Sequence, residues 1–309
     1  MSYTTIPSNY NEIAGYIYEY SEESLRDILV AKRCYIIDTC SIEFYKKENR
    51  INAFVELIKN TTGRLIVFRT ILMEMCGDRG LFDELQIEFF KRLSDANIKV
   101  YILYEEDIYR ILTAYTNKQQ IGEFFKNAIK CVKGPAGLLN NFLIENAQIL
   151  RPIVSSSATI DEAFIVNFWS ELRQYKQHKD NLGEVACAIC IHMLANMDDI
   201  NKYKYIFTTE DRPAISILAR VIKNQRDKGT SSNKELIGVA TSPKLVEEMY
   251  KQKILTSKED IETFYMPLGE AARIKAFVMD KFDVAPRERS FTVSEFAEFI
   301  VGDEGVIAC

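Results

Sequence analysis

Apolar residues along the chain fall into two kinds of run. Short runs rich in Ile, Val, Tyr and Phe occupy residues 34–37, 65–68, 99–103, 205–208 and 236–240. Each is too short for a buried helix and suits a strand covered on both faces of a parallel sheet. Between them, apolar positions recur at helical spacing over 51–59, 82–93, 164–175, 185–197, 214–223 and 243–251. Strand alternating with helix predicts an α/β fold: three layers, α/β/α, with a central parallel sheet and right-handed crossovers.

One connection breaks this rhythm. Residues 105–180 carry helical patterning, with turn signals at Gly134 and Pro135 and in "SSSAT", and read as a helical insertion. A core domain is expected over 33–254, an N-terminal helical extension over 1–32 and a C-terminal helical extension over 255–309. Two closing helices are expected in the last segment, at 268–282 and 292–301; "TVSE" at the start of the second is a capping box. The stretch 224–235, "NQRDKGTSSNKE", reads as a polar loop.

Composition narrows the class. Hydrophobic content of 47% and charged content of 27% are those of a globular protein. No apolar run reaches the ~20 residues that span a bilayer. The first residues have neither a basic nor an apolar signal region. A cytoplasmic location without membrane association is the expectation. The 7 cysteines are odd in number, and most sit in apolar segments, as reduced thiols do. Cys187 and Cys190 form a C-x-x-C inside a helical pattern, where i and i+3 share a face. Core packing is the plain reading, since neither a second C-x-x-C nor an H-x₃-H accompanies it. With only 2 histidines, His178 and His192, imidazole chemistry is not expected to be central. The net charge of −5 leaves nucleic-acid binding to local basic patches.

In a parallel α/β sheet, ligands bind outside the carboxyl ends of the strands. Asp38 follows the first strand in "IIDTCS", and Glu74 lies on the helix after the second in "TILMEMCG". Glu184 opens an apolar helix in "LGEVACAI", with Asp180 shortly before it. Glu210 and Asp211 follow the fourth strand in "IFTTEDRPA". Taken singly, each acid is explained by capping or by the helix dipole. Gathered at one edge they would repel one another, and a divalent cation would offset that. Oxygen-only ligands suit Mg²⁺ or Mn²⁺.

This ordered set resembles the PIN-domain nucleases, over roughly residues 33–252 apart from the insertion. The matching positions are Asp38, Glu74, Glu184 and Asp211; "LIGVATSPKLVEEM" resembles the close of that fold. Two departures stand out. The third acid is Glu184 where many members have Asp, which keeps Asp180 as a rival, and Glu210 stands beside Asp211. The resemblance implies a metal-dependent endoribonuclease that hydrolyses phosphodiester bonds in single-stranded RNA. Asp38, Glu74, Glu184 and Asp211 would be its catalytic and metal-binding acids, with Mg²⁺ or Mn²⁺ as cofactor. Ser41, Thr209, Glu210 and Asp180 would support them. Arg69, Arg212, Lys46, Lys47 and Arg50, which flank the acids in sequence, are the candidate phosphate contacts. A protein inhibitor such as an antitoxin, and a homo-oligomer, are compatible partners.

Other readings start from the same Asp38. An aspartyl-phosphate phosphohydrolase needs a second Asp two residues on, where this chain has Cys40. A receiver domain needs a Lys on the last strand, and "LIGVATS" has none. A non-catalytic PIN-like scaffold that binds RNA or a partner protein is the principal alternative.

Overall fold

Nine strands are present among the described residues: β1 (Tyr18–Glu19), β2 (Cys34–Ile37), β3 (Arg64–Phe68), β4 (Lys99–Leu103), β5 (Tyr205–Thr208), β6 (Ile237–Ala240), β7 (Ile274–Asp280), β8 (Arg287–Phe291) and β9 (Gly305–Ile307). The structure is a computed structural model describing residues 6–61, 63–134, 137–176, 181–196, 204–227, 237–266, 272–280 and 285–308. Strands β1 to β6 form a wholly parallel sheet in the order β1-β4-β3-β2-β5-β6. The runs predicted at 34–37, 99–103 and 205–208 are strands over those residues, and β3 begins one residue earlier than its run. Residue 236, expected to open the last core strand, lies outside the described residues. Strands β2 and β5 are buried at every position, as their uninterrupted apolar runs require.

The chain leaves β2 in one direction, through β3 to β4, and returns to place β5 and β6 on the other side of β2. Right-handed crossovers then put helices on both faces. Helices Thr39–Tyr45, Glu48–Thr61, Glu84–Asp95 and Ser242–Lys251 make one layer. Helices Arg69–Cys76, Leu182–Leu194 and Arg212–Asp227 make the other. The architecture is a three-layer α/β/α sandwich. Reversal of strand order between β2 and β5 creates a crevice at their carboxyl ends, the place where such sheets hold ligands.

Helix Leu182–Leu194 explains much of the second layer. Every residue in it is buried except Glu184. Cys187, Cys190 and His192 are therefore core residues, and burial pushes both thiols far above their ordinary range. The packing reading of the C-x-x-C holds. His178 lies outside the described residues.

The insertion is helical, as expected, with helices Asp107–Thr113, Lys118–Val132, Leu138–Glu145, Ala147–Val154 and Glu162–Tyr175. Its last helix is tied to the sheet by a buried ion cluster. Arg173 donates to Glu105 at 2.8 Å and to both oxygens of Glu106 at 3.2 Å. Glu105 also accepts the Thr70 N–H at 2.9 Å, which joins the insertion to the start of the helix after β3.

Both ends of the chain depart from expectation. The N-terminal segment does hold a helix, Glu22–Val30, but it also adds β1 to the sheet beside β4. A strand of two residues is too short to leave a period in the sequence. Of the helix expected at 268–282, residues 268–271 and 281–282 lie outside the described residues, and 274–280 form strand β7 instead, in an antiparallel sheet of order β8-β7-β9. Its alternation decides the outcome: Ile274, Ala276 and Val278 are buried, while Lys275, Phe277 and Met279 are exposed. Helix Val293–Val301 forms as predicted, with Thr292 and Glu295 completing the capping box. Among the described residues no helix is long and apolar enough to cross a membrane.

Arg173 is 6% exposed and Glu105 1%, so loss of the arginine strands buried charge. Arg173→Met is expected to destabilise the fold by about 3–5 kcal/mol. Glu162→Gln, which breaks its exposed pair with Arg110 and leaves Arg110 on Asp107, is expected to change stability by under about 1 kcal/mol. Denaturant unfolding of both variants tests the contrast, and equal effects would refute it.

Candidate functional site

Asp38 leaves β2 and becomes the N-cap of helix Thr39–Tyr45, its Oδ1 accepting the Ser41 N–H at 2.7 Å. Its Oδ2 accepts the hydroxyl of Thr209, the residue that follows β5. The same Thr209 oxygen accepts the Asp211 N–H at 3.0 Å. One threonine thus links the two strand ends across the crevice. Asp38 and Thr209 are 2% and 0% exposed, and Ser41 is fully buried. Although capping accounts for one oxygen of Asp38, it does not account for the bond across to β5.

Glu74 sits on helix Arg69–Cys76, which begins where β3 ends. One of its oxygens accepts the Gly183 N–H at 3.1 Å and pairs with Lys176. The closeness of Glu74 explains the glycine: a Cβ at residue 183 would lie 2.3 Å from Glu74 Oε2. Gly183 thereby brings the next residue, Glu184, up against the first acids.

The charges sense one another. Burial is the main force raising Asp38 to about 6, with Asp211 adding to it. Burial, then Glu74, raises Glu184 to about 7, and Asp211 and Asp38 push the same way. Burial raises Asp211 too, while a hydrogen bond with Glu184 holds it down. The pair is best described as Glu184 keeping a proton that it shares with Asp211. The thiol of Cys40, two residues from the cap, is pushed up to about 12 by burial and then by Asp38, Asp211, Glu184 and Glu74. Hydrogen bonds bring the acids together in pairs: Thr209 joins Asp38 to the Asp211 turn, and the Gly183 N–H joins Glu74 to the start of the Glu184 helix.

Of the supporting residues, Thr209 and Ser41 hold Asp38 as described. Glu210 turns away to accept the Ser242 N–H at 2.7 Å and its hydroxyl at 2.8 Å, which ties the end of β5 to the end of β6. Burial raises Glu210 to about 8. Asp180 lies outside the described residues. The candidate cations divide. Lys46 is buried in ion pairs with Glu43 and Asp83, and Arg50 is buried against Phe44 while donating to the Phe44 and Phe264 carbonyls. Both are committed to the fold. Arg69 lies over the Tyr104 ring, 4.5 Å from its centroid. Lys47 and Arg212 are exposed beside the crevice, Arg212 paired with Glu288. Lys176 was not anticipated. Its position three residues after Arg173 gives no sequence signal that it will meet Glu74.

Carboxylate oxygens alone make a donor set for a hard divalent cation. Glu184 Oε2 is buried without a hydrogen-bond partner, the kind of orphaned atom that a cation would satisfy. As the side chains stand, however, no group of three or more His, Cys, Asp or Glu among the described residues is arranged to hold a metal ion. The oxygens of Asp38 and one of Glu74 are engaged by protein donors instead. The residues therefore suit a cation in charge and donor type, and binding would require Asp38 or Glu74 to exchange a partner. Comparison with protein-family models, with curated proteins and with solved structures finds no match.

The raised acids carry a signed pH dependence. Asp38 at about 6 and Glu184 at about 7 hold protons that the unfolded chain has already released near pH ~4. Their contribution to stability is full below about pH 4 and is lost as pH rises through 6 to 7. In chelator, melting temperature is expected to carry this downward contribution from pH 5 to pH 8, and Glu184→Gln should flatten the profile. Calorimetry on both proteins reads it; parallel profiles would mean that Glu184 does not titrate in this range.

Proposed function

We propose that this chain is a divalent-metal-dependent nuclease that hydrolyses phosphodiester bonds in single-stranded RNA, with Asp38, Glu74, Glu184 and Asp211 as its acid set. The order of those acids resembles that of PIN-domain nucleases. The observation that carries the reading is that hydrogen bonds at the crevice between β2 and β5 join the segments of four acids: Thr209 bonds Asp38 and the Asp211 N–H, and Glu74 accepts the N–H of Gly183, the residue before Glu184. A folded protein without use for such a cluster gains nothing from its mutual repulsion.

A bound Mg²⁺ or Mn²⁺ would supply a polarised phosphate and a water acidified toward neutrality. Everything else falls to the protein. Asp38 is fixed by Ser41 and Thr209, so its carboxylate is presented without a search through rotamers. Asp211 is fixed by its N–H to Thr209. Glu184, raised to about 7 in the metal-free protein, would release its proton to serve as a cation ligand, which makes metal affinity rise with pH. Exposed Lys47 and Arg212 offset the negative edge where a phosphate backbone would approach.

A second reading has one observation in its favour. Lys176 pairs with Glu74 and already neutralises part of the cluster, as a cation would. On that reading the chain is a scaffold that binds RNA or a partner protein without cutting it.

Melting with and without Mn²⁺ separates the two. A cation that binds only the folded site at 100 times its Kd stabilises by about 2.7 kcal/mol, a rise of several °C. Asp38→Asn keeps an N-cap side chain and removes one charge, so the metal-free protein should melt within a few °C of wild type. The variant should lose most of the Mn²⁺ response, and cleavage of a labelled single-stranded RNA should fall by more than about 100-fold. A wild type with neither Mn²⁺ response nor cleavage supports the scaffold.

A further inference from the structure

A cavity of about 540 Å³ opens beside the acids, between the α/β core and the C-terminal sheet. Its size falls in the range that accepts a small ligand, on the order of 300–1,000 Å³. Cys40 and Arg212 line it from the acid side, and Lys275 and Phe277 from β7. Cys40 lies two residues after Asp38, and the lining residues Glu210 and Arg212 flank Asp211, so the cavity begins beside the acid crevice.

Its chemistry is uneven in an informative way. Lys47 and Lys275 both line it, both are exposed, and neither makes an ion pair among the described residues. The carboxylates that share the cavity are already engaged: Glu43 by Lys46, Glu288 by Arg212 and Glu210 by Ser242. The uncommitted charge in the cavity is therefore positive. Phe277 stands on the outer face of β7, 37% exposed, next but one to Lys275 on the same face. This leaves part of an aromatic ring open to the cavity beside two cations that no carboxylate engages. Glu288 lies directly across from Phe277 in the β7–β8 register and holds Arg212, which joins the sheet to the residue after Asp211.

We propose that this cavity is a subsite for single-stranded nucleic acid, with a base stacked on Phe277 and backbone phosphates on Lys275 and Lys47, leading the strand to the acid crevice. The assignment deepens the nuclease reading and rests on it for direction only. Base stacking on an aromatic needs an unpaired base, which makes a single strand rather than a duplex the ligand. The phosphate nearest the acids would compete with Glu288 for Arg212. The C-terminal sheet thus acts as one wall of the substrate channel.

The test measures binding in chelator, where cleavage cannot occur. Fluorescence anisotropy would follow a labelled 12-nucleotide RNA, and DNA of the same sequence, with unlabelled duplex as competitor. Phe277→Ala is expected to weaken single-strand binding about 10-fold, with Phe277→Tyr restoring it. Lys275→Ala should weaken it similarly and lower the salt slope by about 0.7. Duplex should compete poorly. Lys275→Ala and Phe277→Tyr should melt as wild type, Phe277→Ala within a few °C of it because the ring is only partly exposed, and the Mn²⁺ shift should be unchanged. If both Ala variants bind as tightly as wild type, the cavity is not a nucleic-acid subsite. If binding falls as expected while wild type shows no Mn²⁺ shift, the subsite stands and the nuclease reading fails.

Discussion

Pairing of β2 with β5 is the constraint on which the candidate site depends. The two strands are far apart in sequence, yet they lie side by side and parallel, with Ile37 opposite Thr208. Because their direction is shared, the residues that follow them, Asp38 and Thr209, emerge together at one edge. The hydrogen bond between these two side chains is a direct result of that register. Reversal of strand order at the same place opens the crevice. Helix Leu182–Leu194, buried on all sides, can present only its first turn to it, and that turn carries Glu184.

Electrostatic tension at this edge is balanced by specific contacts. Asp38 receives two hydrogen bonds, Glu74 receives the Gly183 N–H and Lys176, and Glu184 answers its neighbours by holding a proton. These are distinct ways of meeting the same difficulty, and Glu184 Oε2 is left unsatisfied. The ion cluster of Arg173 with Glu105 and Glu106 forms three residues before Lys176. It fixes the end of helix Glu162–Tyr175, from which Lys176 reaches Glu74. The insertion therefore contributes to the charge balance of the site and not only to its walls.

Much of the core was legible because its signals are local. Buried parallel strands are continuous apolar runs, so 34–37 and 205–208 declared themselves, and a charge directly after such a run marks the carboxyl edge. What was not legible depends on tertiary pairing. Lys46 and Arg50 look like surface cations until Asp83 and the Phe264 carbonyl, remote in sequence, are brought beside them. Lys176 is hidden for the same reason. Strand β7 was misread differently. The helix formers of "LGEAAR" precede it, and its true alternation covers only seven residues. The clue was present in Ile274, Ala276 and Val278, and the longer pattern outweighed it. Glu105 and Glu106, one residue past the end of β4, carried an edge signal close to that of Asp38.

The distance along the chain between Asp38 and Thr209, 171 residues, also bears on how the protein forms. Strands β2, β3 and β4 lie within a span short enough to pair early, with modest loop-closure entropy. Strand β5 can join only after the whole insertion has been accommodated, since contacts of high sequence separation form at greater entropic expense. A growing chain thus completes a three-stranded nucleus with Asp38 and Glu74 in place before Asp211 arrives. The charge cluster is completed only when β5 joins β2, after the first acids are in place and before β6 closes the sheet.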